Sequence, residues 1–461
     1  MAISGYSHRV SPPAESLSRP AAWLFPGLVV GVLAGLTTGG TFSGLSFAVA
    51  ALTLFVGTLV AAFSARYMRG DIGSIRFFAL LGCLVGSVLL FILTDHAILF
   101  AAGWLSSGLL LAQLIGHSRS LSEARAAARR SRLTFLLGDS ALLVAMGWLC
   151  WDAQSCQLSE AIAASSSMSA IEGGLIAFSL LLAAAARCAL PPFSSWLLSS
   201  MTAPTPVSAL MHAGLVNSGG FLLLRFAPVV EAAPAVRYLA VAVGLFAALW
   251  GIGVMMVRPD LKRSLAGSTV SQMGFMIVSC GLGAYAAALW HLVAHGLFKA
   301  WLFLNAGSAI GLQIDRRPAL EPRIVMVAAT VAFVTACILT LDGSFTADEV
   351  PLLLAAATGV ATFGAITASK VGGQARLTLV AVLAGLGGLY ALGFTAAEAV
   401  FPLPKTAPFT PLAGIVLLAV VLAFWSAQSF YITRRRPLPH GLYVRLLNAG
   451  RLNPISTGDR S

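Results

Sequence analysis

Charge is what this sequence has least of. Only 10% of its 461 residues are charged, where a water-soluble domain carries about 25%. Acidic residues are the scarcer kind, 17 Asp and Glu against 29 Lys and Arg. With 58% hydrophobic residues and a mean hydropathy of +0.88, the chain cannot cover itself with polar groups. Water-soluble classes are therefore excluded, and the solvent is lipid. The alternating ~10-residue strands of a transmembrane barrel are missing as well. The six cysteines (Cys83, Cys150, Cys156, Cys188, Cys280, Cys337) form no CxxC and no zinc-ligand spacing, so they read as small apolar residues in helices. Only Cys150 and Cys156, near one outer loop, are close enough in sequence to suggest a disulfide. No dinucleotide fingerprint, P-loop or haem motif occurs. Redox or ATP chemistry, enzymatic activity and a bound cofactor are not expected in this chain.

What is present is a succession of apolar runs, each close to the ~20 residues that a helix needs to cross about 30 Å of hydrocarbon. Gly and Ala within them suit close helix packing in lipid. The runs lie at about 22–38, 43–64, 75–94, 97–116, 133–151, 174–190, 206–228, 236–257, 269–287, 290–310, 322–341, 351–367, 376–396 and 411–432, which predicts 14 spans. Residues 1–21 are polar and Pro/Ser-rich and read as a short disordered cytoplasmic tail with no cleavable signal. Residues 433–461 form a basic tail after the transmembrane domain of 22–432.

Lysine and arginine set the orientation. With the N-terminus inside, all of the 29 except Arg187, Arg225, Arg237, Lys299 and Lys405 fall in cytoplasmic segments. Both termini are therefore expected in the cytoplasm of a cell (inner) membrane. The net charge of +12 is the product of positive-inside sorting and needs no nucleic acid. The loop at 117–132 and the tail after Arg434 are the largest charged surfaces on that face, and they are expected to dock a soluble subunit.

Ionisable groups within spans are costly and functional by default. Here they are Asp139, Arg187, His212, His291, His295 and Lys299. In HLVAHGLFKAWLF the last three stand at i, i+4 and i+8, on one helix face over about 12 Å. A proton path needs such groups, because an imidazole titrates near neutrality and a desolvated ammonium can be brought there. The alternatives are a polar packing face or a metal pair. HxxxH without the glutamate of HExxH is a weak zinc signal, and no metal is expected. Arginine does not give up its proton, so Arg187 is read as a fixed charge. It precedes Pro191 and Pro192, which break the helix, and Asp139 is its expected counter-ion. Otherwise Asp139 is a protonated or capping acid. His212 follows Pro204 and Pro206 and reads either as a satisfied core histidine or as part of the path.

The stretches APTPVSALMHAGLVNSGGFLLLR, DLKRSLAGSTVSQMGFM and HLVAHGLFKAWLFLNAGSAI resemble the antiporter-like membrane subunits. These include the large proton-pumping subunits of respiratory NADH dehydrogenase and the multisubunit sodium/proton antiporters. The resemblance covers roughly 95–350. It implies an all-α polytopic fold with two inverted five-helix repeats, about 75–228 and 236–367, and broken helices. Within that superfamily, HAGLVNSGGFLLLRFAP, CGLGAYAAALWHLVAH and the tail HGLYVRLLNAG look most like the membrane subunit of DAB-type inorganic carbon transporters, and no long lateral helix is expected. That resemblance implies a large cytoplasmic zinc-dependent, carbonic-anhydrase-like partner and ion-driven bicarbonate accumulation. The other readings are a proton-translocating or antiporter subunit of a respiratory or cation/proton complex, and a non-conducting anchor for a soluble enzyme. His212, Lys262, His291, His295 and Lys299 match the superfamily pattern, and Asp348 and Glu349 remain from the second broken helix. Leu105 replaces the usual glutamate after tryptophan, Arg187 replaces one lysine and Ala347 another. The first repeat thus lacks its usual proton-carrying pair.

Overall fold

A computed structural model describes residues 43–309, 320–369, 371–400, 409–434 and 438–451. In hydrocarbon every backbone N–H and C=O must find a partner within the chain, which leaves helices as the available solution for apolar runs. The described residues form helices and no β-strand. In chain order they are α1 (Gly44–Tyr67), α2 (Ser74–Leu93), α3 (Ala97–Ile115), α4 (Ser122–Ala153), α5 (Leu158–Ala164), α6 (Ala170–Arg187), α7 (Ser195–Ser199), α8 (Thr205–Ala213) and α9 (Ser218–Arg225). They continue with α10 (Ala227–Glu231), α11 (Pro234–Val257), α12 (Leu261–Leu282), α13 (Tyr285–Leu304), α14 (Pro322–Leu341), α15 (Val350–Ala368), α16 (Gly373–Val400), α17 (Pro411–Thr433) and α18 (His440–Asn448).

Thirteen helical stretches are long and apolar enough to span, counting α8–α9 as one and Ala347–Ala368 as another. Each overlaps one of the expected spans. The expected span at 22–38 and the N-terminal tail lie outside the described residues.

Three boundaries differ from expectation for local reasons. First, α12 begins eight residues before 269, because the Asp260 side chain accepts from the Arg263 backbone N at 2.8 Å and caps the helix. Second, most of the expected basic loop at 117–132 is helix. At about 1.5 Å per residue the 32 residues of α4 run ~48 Å, well beyond about 30 Å of hydrocarbon. Its first three turns therefore extend past the hydrocarbon, with Arg125, Arg129 and Arg132 exposed and Ala124, Ala127 and Ser131 buried. Third, α6 starts at a capping box in which Ser169 and Glu172 satisfy each other's backbone N–H groups.

The tightest helix pair is α11–α12. A Cβ at Gly251 or Gly274 would collide with the backbone of the facing helix, so these glycines permit the approach. The core is not central to all spans. The broken span α8–α9 has 94% of its most apolar stretch buried and α16 has none. The most enclosed helix is therefore the one that is interrupted, and α16 lies at the periphery.

Candidate functional site

Two groups of buried charge lie in the bundle. The first is built on α3, α4 and the end of α6. Helix α6 stops at Arg187, and the chain turns through Pro191 and Pro192 before α7. The break frees the Ala186 carbonyl, which accepts from Trp196 Nε1 at 2.9 Å. Arg187 is 2% exposed. Its Nη2 donates to Asp139 Oδ1 at 3.0 Å and to the Trp104 carbonyl at 2.6 Å, and its Nη1 donates to Ser107 Oγ at 3.4 Å. The guanidinium also lies over the rings of Trp104 (4.7 Å) and Phe135 (4.8 Å). Trp104 Nε1 donates to the same Asp139 oxygen at 2.8 Å. Gly108 makes the seat, since a Cβ there would stand 2.8 Å from Arg187 Nη2. Leu105 is half-buried beside this group and adds no charge.

The second group joins α8, α12 and α13. His212 sits one residue before the end of α8, where Gly214 interrupts the span. Asn217 Nδ2 bridges the break, donating to the Ala213 carbonyl at 2.8 Å and to the Leu292 carbonyl of α13 at 3.3 Å. A Cβ at Gly296 would lie 2.7 Å from the Ala213 carbonyl, so this glycine allows α13 to press against the break. The three α13 groups do share a face. The His291 and His295 rings stack with centroids 5.7 Å apart. Lys299 Nζ donates to the Leu265 carbonyl at 3.1 Å and to Ser268 Oγ at 3.0 Å, both on α12. The His212 ring stacks on Phe303 at 4.2 Å, and its Nδ1 is 3.0 Å from Thr269 Oγ1. The Thr269 hydroxyl gives its one proton to the Leu265 carbonyl at 3.0 Å. His291 meets the Gln272 backbone, and His295 meets the backbone of His212. In all three imidazoles Nε2 is buried with no hydrogen-bond partner among the described residues.

Around this group the remaining residues divide. Lys262, half-buried, donates to the Ala203 carbonyl at 3.4 Å, one turn along α12 from Leu265. A cavity of about 370 Å³ reaches from His291 and Gln272 to Val350 and Pro351 at the start of α15. Glu349 stands next to it with a buried, unpartnered Oε2. Asp348 lies in the same turn. Ala347 is buried and faces Gly414, where a Cβ would lie 3.2 Å from that of Ala347. Among the described residues no group of three or more His, Cys, Asp or Glu could hold a metal ion. Cys150 and Cys156 are free thiols.

Sequence reasoning did not identify Trp104, Ser107, Ser268 and Thr269, which bond the charged groups across helices. It also assigned no partners to Arg225 and Arg237, and both are ion-paired. Arg225 pairs with Asp95 at 2.9 Å, and fully buried Arg237 pairs with Glu231 at 2.6 Å.

Residues 94–342 match the family model described as NADH:quinone oxidoreductase/Mrp antiporter, TM, and residues 34–78 match the N-terminus of NADH-ubiquinone oxidoreductase (complex I) chain 5. The chain is 33% identical over 420 residues to a probable inorganic carbon transporter subunit DabB of Bacillus subtilis, covering 87% of this chain and 81% of that one. It is 34% identical over 284 residues to NADH-quinone oxidoreductase subunit L of Campylobacter jejuni, covering 61% of this chain and 48% of that one. Matches to further DabB proteins likewise take in about half of their length, 48% to 54%. In fold the chain is similar to a chain of the Mrp complex from Dietzia sp. DQ12-45-1b, with a TM-score of 0.63 at 24% identity over 94% of this chain and 56% of that one. The chain is an antiporter-like membrane subunit and belongs to the DabB family within the NADH:quinone oxidoreductase/Mrp antiporter group.

Proposed function

We propose that this chain is the ion-conducting membrane subunit of an inorganic carbon transporter. Inward flow of protons, or of another cation, through His212, Lys299, His295 and His291 drives a large cytoplasmic zinc-dependent, carbonic-anhydrase-like partner. That partner carries the chemistry, hydration of CO2 to bicarbonate. Both termini face the cytoplasm, and residues 75–228 and 236–367 form two inverted repeats in a transmembrane domain of 22–432. Lys262 receives or delivers the ion on the basic face. Asp348 and Glu349 flank the cavity on the other side of His291.

The observation that carries this reading is the chemical state of the three imidazoles. Each is fixed by a bond through one side of the ring and turns a buried Nε2 with no protein partner to its surroundings. Buried polar atoms are nearly always satisfied. A ring nitrogen without a protein partner can take water or a proton. The membrane potential supplies about 2.3 kcal/mol per charge per 100 mV, and a residue that takes up and releases the ion can use it. Arg187 cannot, and its counter-ion Asp139 accepts from two donors. This favours conduction through the group of His212, Lys299, His295 and His291 and not through Asp139 and Arg187. The relation to subunit L supports the reading of a proton pump, but such pumping through both halves would need a titrating pair where Asp139 and Arg187 are locked.

Lys299 tests the proposal. Uptake of inorganic carbon is measured in cells that depend on the transporter, at matched membrane abundance. Lys299→Ala is expected to lower it at least tenfold. Lys299→Arg is expected to fail equally, because it keeps the charge and removes the ability to release a proton. Wild-type uptake in Lys299→Ala would refute conduction along α13 and leave the chain a passive anchor. Wild-type uptake in Lys299→Arg would make the lysine a fixed charge.

A further inference from the structure

At the basic end of the bundle a second cavity of about 410 Å³ is closed by three parts of the chain that are far apart in sequence. These are the segment at Leu198–Thr202 at the end of α7, the α11–α12 turn and first turn of α12 with Arg258 and Arg263, and the end of α18 with Asn448, Gly450 and Arg451. Glu123 lines its edge. The cavity exists because α18 folds back. Leu446 packs on Gly253, and Arg130 Nη1 donates to the carbonyls of Gly450 and Arg451 at 3.5 and 3.3 Å.

The lining presents three guanidinium groups against one carboxylate. Arg258 is 9% exposed. It donates through Nη2 to the Ala449 carbonyl, and its Nε is buried without a partner. Thr202 Oγ1, also in the lining, is likewise buried and unpartnered. The neighbouring pair of Arg263 with Asp260 spans 3.6 Å and both side chains are largely exposed, so it neutralises little. Burial, and secondarily the like charge of Arg263, hold the Arg258 guanidinium below its ordinary range, with Asp260 opposing. A buried guanidinium in this state is stabilised by an anion that accepts several of its N–H groups.

We infer that this cavity is an oxyanion site, taking the phosphate of an anionic lipid headgroup or a free phosphate-type ion between Arg258, Arg263, Arg451 and the Thr202 hydroxyl. Basic pockets between transmembrane helices suit such headgroups, and the planar guanidinium matches their oxygens. Because its wall is partly the chain's own tail, an anion bound there ties α18 to the α11–α12 turn. The inference stands independently of the transport reading.

The test uses the full chain purified in neutral detergent, with two probes. Inorganic phosphate is titrated while the thermal unfolding midpoint is followed. Phosphatidylglycerol retention is compared with that of phosphatidylcholine by native mass spectrometry. A saturable rise with phosphate identifies the free ion. Selective retention of phosphatidylglycerol without a phosphate response identifies the headgroup. In either case the double variant Arg263→Gln/Arg451→Gln, and separately Thr202→Val, should weaken binding, the former at least tenfold. Arg258→Gln should abolish it. Since Arg258→Gln also releases the Ala449 carbonyl, the rim variants decide the matter if that protein misfolds. Absence of both responses, or responses equal in wild type and the rim variants, overturns the site.

Discussion

Arg187 is held by one carboxylate, one carbonyl, one hydroxyl and two aromatic faces. Removing one partner of a buried pair strands the other in low dielectric, at a cost of about 3–5 kcal/mol. Arg187→Ala and Asp139→Asn are therefore each expected to lower the thermal midpoint of the purified protein and its abundance in the membrane. Arg187→Lys keeps the charge beside Asp139 but gives up the bidentate reach to Trp104 and Ser107 and the stacking. It is expected to be the mildest of the three and to retain part of the uptake. Equal abundance of all three variants by blot would show that the pair contributes little to folding. At this scale the sequence revealed the charged residues themselves, because Asp139, Arg187 and the His–His–Lys series stand alone in apolar runs. It concealed their partners. Thr269, Ser268 and Trp104 are chemically ordinary in a span, and they reach the charged groups from helices 30 or more positions away. Arg237 looked like a loop residue because it lies close to the end of its apolar run, yet Glu231 and the Gly281 carbonyl draw it inside.

Among the elements, the interruption at Gly214 and the helix pressed against it determine where the histidines meet. Gly296 of α13 allows that contact. A side chain there would run into the Ala213 carbonyl at 2.7 Å and Leu52 at 3.0 Å. Overpacking of this kind costs typically about 1–3 kcal/mol, paid by moving α13 away from α8. Gly296→Val is expected to reduce uptake several-fold by separating His295 from His212, with a modest loss of thermal stability. Gly147→Val on α4, where a Cβ meets nothing within 4 Å, is the control and should leave both unchanged. Uptake in Gly296→Val equal to that of the control would mean that the α8–α13 spacing is not critical. The spans were legible because hydrocarbon thickness sets their length. The Pro191–Pro192 break was legible because proline lacks the amide donor. The break at Gly214 was not, since HAGLVNSGG carries no proline. The Ala213 carbonyl there is satisfied by Asn217, which also donates to the Leu292 carbonyl of α13.

For the molecule as a whole, the basic end that is proposed to dock a soluble partner is not a loose loop. Helix α4 carries Arg125, Arg129 and Arg132 outward on rigid turns. Arg130 turns inward to hold the carbonyls of Gly450 and Arg451. The two basic segments that the sequence separates by 320 positions thus form one surface. This sharpens the docking experiment. Arg130 is excluded from it, because its loss would release the tail and confound the result. Neutralising Arg125, Arg129 and Arg132 together removes three exposed charges and leaves the bonds of Arg130 to the tail intact, at the loss of the local bonds from Arg125 to the Arg119 and Ser120 carbonyls. Exposed ion pairs are individually weak, about 0.2–1 kcal/mol, so the triple variant is expected to lose roughly tenfold in recovery of the soluble subunit. Because such charges are screened within about 8 Å at physiological ionic strength, added salt should weaken the wild-type complex and have much less effect on what remains of the triple variant. The measurement is co-purification from solubilised membranes across a salt series. Undiminished recovery with the triple variant, at the same salt dependence as wild type, would place the docking surface away from α4. A reporter fused to the C-terminus and active only outside the cytoplasm would put this whole basic face on the wrong side of the membrane for a cytoplasmic partner.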